Sequence, residues 1–182
     1  MYFKSKVFNN NVTIKSIILA LKKKVVQIEI ERKFLVKNNS FKNDSFKRLS
    51  IKQGFLNSNK NRVVRIRIIN KKGFITVKGK SNKKGLSRFE WEKKIPVKEA
   101  KKLLKLCENR VIKKKRYLVK VEKHTFEIDV FKGKNKGLVV AEVELNHEEE
   151  SFSKPDWLGK EVTGETKYYN SELSKVPFND WT

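Results

Sequence analysis

The stretch QIEIERKFLV, residues 27–36, sets Glu29, Glu31 and Lys33 at every second position with Ile28, Ile30 and Phe34 between them. Side chains along a strand alternate faces, so this segment reads as a strand that buries one greasy face and carries two like charges and an opposite one on the other. The alternation recurs. VVRIRI places Arg65 and Arg67 opposite Val64, Ile66 and Ile68, and FITVKGK puts Thr76, Lys78 and Lys80 on one face. SRFEWEKKI gives Arg88, Glu90, Glu92 and Lys94, KKKRYLV gives Lys114 and Arg116, FEIDVF gives Glu127 and Asp129, and VVAEVEL gives Glu142 and Glu144. An antiparallel sheet often shows water one polar face. A merely solvated face, however, accepts Ser, Thr and Asn and sets opposite charges across from each other, whereas here like charges cluster within strands. Such clusters are costly unless divalent cations neutralise the acidic ones and a multiply charged anion the basic ones.

Turn signals separate eight predicted strands: Val26–Val36, Ile51–Leu56, Arg62–Asn70, Gly73–Lys80, Ser87–Ile95, Val111–Val121, Thr125–Phe131 and Leu138–Asn146. NKKG at 70–73 reads as a tight hairpin, and KSNKKG at 80–85 as a polar loop in which Gly85 can take a positive φ. PVKEAKKLLKLCEN predicts a helix over 97–108, with Val97, Ala100, Leu103, Leu104 and Cys107 on its apolar face. The class is mainly β with flanking helices (α+β). Eight antiparallel strands can close into a barrel, which removes exposed edges. With the charged faces inward the barrel cannot collapse dry, because unpaired buried charges cost too much, so it becomes a wet tunnel holding ions. The outward apolar faces then need cover from the 97–108 helix, the segment 41–49 and the C-terminal stretch.

With 182 residues and 38% hydrophobic content, the chain has material for one sizeable core, expected over 26–182. A formal net charge of +24, from 44 Lys and Arg against 20 Asp and Glu, attracts polyanions, although lysine is spread along the whole chain rather than in one patch. Residues 1–25 form a basic tail or extra helix: TIKSIILALKKKVV has helical apolar spacing and could lie on an anionic surface, or remain poorly ordered. Its apolar run, Ile17–Leu21, is too short to span a membrane or serve as a secretory core. One cysteine, Cys107, permits no intramolecular disulfide and fits a reducing, cytoplasmic setting; on the helix it reads as a small buried hydrophobe. His124 and His147 are isolated and read as surface or loop residues, and NHEEE at 146–150 as a solvated turn.

Acidic oxygen ligands without His or Cys clusters suit a hard cation, Mg²⁺ or Mn²⁺. Lysines and arginines in number grip phosphate oxygens, Arg in bidentate fashion. Metal beside polyphosphate implies phosphoryl transfer, where catalysis is mostly positioning and charge neutralisation, with metal-activated water as nucleophile.

EIERKFLV resembles the Glu-x-Glu-x-Lys signature of the CYTH superfamily, the triphosphate tunnel metalloenzymes, and IKQGFL, VVRIRI, TVKGK, GLSRFEWE, KKKRY, FEIDVF, LVVAEVEL and WLGKEVTGETKYYNSELS follow in the family's order. Within it the chain is most similar to the compact bacterial inorganic triphosphatases. The resemblance implies an eight-stranded tunnel in which two divalent metals and a triphosphate bind and the triphosphate is cleaved to diphosphate and phosphate. It implies Glu29, Glu31, Glu90, Asp129, Glu142 and Glu144 as metal ligands, and Lys33, Arg65, Arg67, Lys78, Arg88, Lys114, Arg116 and Lys167 as phosphate contacts. Glu29, Glu31 and Lys114 are the expected catalytic groups, and Glu92, Glu127 and Lys80 share the inward parity.

The chain departs from many relatives at Phe55, where a Tyr hydroxyl is common, and at Lys167, where an Arg fork is common. The first removes a hydroxyl from proton handling and leaves water helped by Lys114; the second loosens closure of the C-terminal segment. Asn170 and Ser171 read as helix caps. The same scaffold serves thiamine triphosphatases, nucleoside or RNA triphosphatases and adenylate cyclases. Outside the tunnel signature, Trp157 and Tyr168 are the nearest candidates to hold an organic group. A non-catalytic polyphosphate- or RNA-binding module is the rival of another class, but inward carboxylates add nothing to pure polyanion binding. The expected partner is a small polyanion rather than a membrane, nucleic acid is open but not favoured, and the chain is expected as monomer or homodimer.

Overall fold

A computed structural model describes residues 30–59, 61–81 and 88–181. One antiparallel sheet of nine strands organises them: β1 Ile30–Val36, β2 Ser45–Asn57, β3 Arg62–Ile69, β4 Lys72–Ser81, β5 Arg88–Ile95, β6 Ile112–Val121, β7 His124–Lys132, β8 Val139–Leu145 and β9 Leu158–Glu161. Their order is β5-β4-β3-β2-β6-β7-β8-β1-β9. Strands β1 to β8 all send side chains into one cavity, so the sheet curls around it. Among the described residues β5 and β9 are its hydrogen-bonded ends.

The eight expected strands are all present, within a few residues of their expected bounds except β2. That strand is much longer than expected, absorbing most of 41–49, and only the single turn Ser40–Lys42 before it acts as cover. Lysines and serines alternating with Phe46 and Leu49 hid its first half. The ninth strand is four residues long, too short for an alternation to register, and follows Pro155 in a loop-like stretch. Gly85, residues 1–25 and Glu29 lie outside the described residues.

Apolar outward positions are covered in two places. Phe34, Tyr117, Val119, Phe126, Ile128 and Val143 pack beneath Phe41, Trp157 and Leu158. The helix Val97–Leu104, four residues shorter than expected, covers Ile66, Ile68 and Ile75 of β3 and β4. Cys107 lies beyond its end, half-buried over β2, where a Cβ added at Gly54 would sit 2.6 Å from Sγ. Only glycine leaves room for that sulfur. Burial, then Glu108, pushes the thiol pKa up, which keeps it unreactive.

The C-terminal stretch covers the outer face at Trp157 and Leu158, but not further on. Instead of covering an outer face, Val162, Tyr168 and Leu173 pack on Leu35, Ile112, Phe131 and Val140. Those four share strand parity with Lys33, Lys114, Asp129 and Glu142, the charged positions two residues away. The inner surface is therefore apolar at one end, and the segment carrying the helix Asn170–Lys175 stops that end.

His124 also differs from expectation. It is buried at the start of β7, its Nε2 3.1 Å from Glu150 Oε1. Glu150 also accepts from the backbone N–H of Asn146 at 2.6 Å and pairs with Lys123 at 2.9 Å, so the 146–150 turn is pinned rather than merely solvated. His147 is exposed as expected. Asn70 takes a left-handed φ of 53° in the two-residue β3–β4 turn, and its Oδ1 accepts from the Ser50 N–H at 2.9 Å. No helix among the described residues is long and apolar enough to cross a membrane.

Candidate active site

The cavity measures about 980 Å³ and its wall is charged. Register explains why. Lys33 of β1 stands opposite Glu142 of β8 and Glu31 opposite Glu144, while Arg116 of β6 faces Asp129 of β7. The Lys33 ammonium donates to Glu31 Oε1 at 2.8 Å and to Glu142. Burial works against its charge, but Glu142 and Glu31 outweigh burial and hold its pKa above the ordinary lysine value. Lys114 donates to Asp129 Oδ2 at 2.5 Å and to Asn170 Oδ1 at 3.1 Å. Arg116 holds the same Asp129 bidentately at 2.7 and 2.6 Å, and reaches Glu127 and Glu142 as well. Asp129 is buried, yet the two cations outweigh burial and keep it ionised far below the usual carboxylate range. Lys114 moves down in pKa: burial and the neighbouring Arg116 outweigh its share of that carboxylate.

Across the cavity, β3, β4 and β5 supply Arg65, Arg67, Lys78 and Glu90. Arg67 Nη2 donates to Glu92 at 2.5 Å, Lys78 pairs with Glu90 at 2.5 Å, and Arg65 lies 3.9 Å from Glu90. Burial and then Arg67 push the Arg65 pKa down to about 10, so it stays charged but poorly neutralised. The Nε–H groups of Arg65 and Arg67 and the amide nitrogen of Gln53 are buried without an acceptor among the described residues.

Of the sequence-predicted residues, Glu31, Lys33, Arg65, Arg67, Lys78, Glu90, Lys114, Arg116, Glu142 and Glu144 line the cavity, as does Glu127. Asp129 lies just beneath, gripped by Lys114 and Arg116. The Arg88 side chain and all of Glu29 lie outside the described residues. Phe55 is buried in the wall and brings no hydroxyl. Glu92 and Lys80 are exposed and do not line the cavity.

Lys167 is not at the site. The Thr166–Tyr168 turn drives Tyr168 into the apolar end and leaves the half-exposed Lys167 ammonium outside, 5.1 and 5.2 Å from the Tyr168 and Trp181 rings. Trp157 and Tyr168 are core residues, unavailable to an organic group. Asn170, expected as a helix cap, makes no cap hydrogen bond and instead accepts from Lys114. Gln53 and Tyr169 also line the cavity, Gln53 without a charge signal in the sequence because it shares its strand face with Ile51 and Phe55.

Among the described residues no group of three carboxylates stands ready-made for a metal, since Asp129, Glu127 and Glu142 are turned onto lysine and arginine. The donor set nevertheless fits a hard divalent cation: Glu31 and Glu144 oppose each other in register, with Glu142 two pairs away on the same face, all oxygen ligands. Burial and the negative Glu142 raise the Glu31 pKa, as expected of a carboxylate short of positive charge.

Comparison with known proteins agrees with this geometry. Residues 27–177 match the CYTH domain family. An inorganic triphosphatase of Acetivibrio thermocellus is 47% identical over 154 residues, covering 84% of this chain and 97% of the relative. One from Nitrosomonas europaea is 35% identical over 150 residues, covering 80% and 96%. A crystal structure of an inorganic triphosphatase superposes with a TM-score of 0.61 at 32% identity, covering 80% of this chain and 93% of that one. The chain belongs to the CYTH domain family.

Proposed function

We propose that this protein hydrolyses inorganic triphosphate to diphosphate and phosphate with the help of a divalent cation, Mg²⁺ or Mn²⁺. The observation that carries the reading is the pair of arginines that line the cavity, Arg65 and Arg67, whose buried Nε–H groups have no acceptor among the described residues. A phosphate chain offers several charged acceptors at once, and Arg meets them with a planar fork. The relatives named inorganic triphosphatase support the same substrate.

Arg65, Arg67 and Lys78 bind and orient the phosphates from one wall, and Lys33, Lys114 and Arg116 from the other, with Arg88 joining them. Glu31, Glu142 and Glu144, with Glu29 and with Glu90 and Asp129 further along, would hold the cation. When bound, that cation supplies charge neutralisation on the phosphates and eases attack by water. Lys114, with its pKa lowered by burial, holds or passes a proton at Nζ beside the apolar end. That end excludes bulk water.

The test is product analysis by ion exchange after incubation with tripolyphosphate, ATP or thiamine triphosphate, each with Mg²⁺, Mn²⁺ or chelator. Metal-dependent conversion of tripolyphosphate to diphosphate and phosphate, with little attack on ATP, is the expected result. Preference for thiamine triphosphate, or cyclic AMP from ATP, would overturn the substrate; no turnover would leave a binding module.

A further inference from the structure

We infer that Gln53 is a substrate contact, its side-chain amide donating a hydrogen bond to a phosphoryl oxygen seated on Arg67. The inference rests on the triphosphatase reading and adds to it a neutral residue. Gln53 lies mid-strand in β2 with its side chain in the cavity wall, and it is only 2% exposed. Its register partners are Arg67 on β3 and Ile112 on β6. Ile112 offers no hydrogen bond, and Arg67 has only donors. The amide nitrogen is accordingly buried without an acceptor among the described residues.

A buried donor left unpaired is penalised in the folded chain, and a leucine or methionine would fill the same space without that penalty. A bound anion removes it. Residues directly opposite across two strands lie close enough to hold one ligand atom together, so an oxygen gripped by the Arg67 fork is within reach of the Gln53 amide. Rotation about the last, soft torsion of the glutamine is enough to aim the N–H. The three unpaired buried donors Gln53, Arg65 and Arg67 occupy two adjacent strands, β2 and β3. One phosphate group docking there satisfies all three. A neutral amide also binds without adding to the repulsion that Arg67 already exerts on Arg65.

The experiment compares wild type with Gln53→Met, which keeps the volume, and Gln53→Glu, which keeps the shape but removes the N–H. Melting temperature, tripolyphosphate affinity by calorimetry in chelator, and KM and kcat with Mg²⁺ are measured for each. Gln53→Met should melt at or above the wild-type temperature while its tripolyphosphate affinity falls about ten-fold or more, as for loss of one hydrogen bond to a charged group. Gln53→Glu should bind still more weakly, since it sets a carboxylate against the anion. Wild-type affinity in Gln53→Met would overturn the assignment. So would a clear drop in melting temperature with affinity intact, which would make the amide a structural group. If wild type itself neither binds nor cleaves tripolyphosphate, the functional reading falls and this inference with it; wild-type cleavage with an indifferent Gln53→Met removes the inference alone.

Discussion

The two walls of the cavity are built from the same residue types and arrive at different electrical states. On the β1, β6, β7 and β8 side the described residues include five carboxylates, Glu31, Glu127, Asp129, Glu142 and Glu144, against four cations, Arg32, Lys33, Lys114 and Arg116. On the β3, β4 and β5 side Arg65, Arg67 and Lys78 stand against Glu90, while the exposed Glu92 pairs with Arg67 from outside the lining. The first wall is a dense network in which Arg116 alone touches three carboxylates, and its surplus is negative. The second leaves arginine donors unpaired and depresses the Arg65 pKa. One wall is suited to a cation and the other to an anion, and a metal–polyphosphate complex bridges the two.

Breaking the network should cost the most. Asp129→Ala leaves Lys114 and Arg116 buried with too little counter-charge, a loss of about 3–5 kcal/mol of stability measurable by urea denaturation. Glu92→Gln beside the opposite wall, in a more exposed pair, should cost at most about 1 kcal/mol. Arg67→Ala should reverse the emphasis: little change in stability, but kcat/KM for tripolyphosphate down roughly a hundred-fold, since two charge-assisted hydrogen bonds disappear. Asn170→Ala should lower stability by about 1 kcal/mol, because Lys114 loses one of two partners. A residue outside both walls gives the smallest effect. Hydrogen bonds from Lys123, the Asn146 N–H and His124 hold the Glu150 carboxyl down at about 2 from an ordinary 4.5. A depressed carboxyl contributes stability in full above pH 4.5 and loses it as pH falls toward 2. The gap in urea midpoint between wild type and Glu150→Gln should therefore close over that window.

The charged alternation made the curled sheet legible, because the strands that carry it are all present and most of their described charges meet in one cavity, Glu92 and Lys80 being the exceptions. What stayed hidden lacked that signal. Gln53 sits between two apolar neighbours on an uncharged face. Asn170 follows two tyrosines at a helix start, where a local reading favours a cap, while its real partner Lys114 is 56 residues away. Lys167 matched a motif position, yet a turn of three residues decides which of two neighbours faces inward, and Tyr168 took that place. The plugged end was hidden for a similar reason: Leu35, Ile112, Phe131 and Val140 have inward parity but apolar character, and so carry no charge signal.

The division of labour between the walls is tested most directly by calorimetric titration with tripolyphosphate in chelator, at an ionic strength that screens the chain's overall positive charge. Wild type, Arg65→Ala/Arg67→Ala and Glu31→Gln/Glu144→Gln would be compared. Binding that weakens by well over an order of magnitude in the arginine variant, and holds or tightens in the glutamate variant, is what the two-wall arrangement predicts. Undiminished binding in the arginine variant, or its loss in the glutamate variant without metal present, would contradict it.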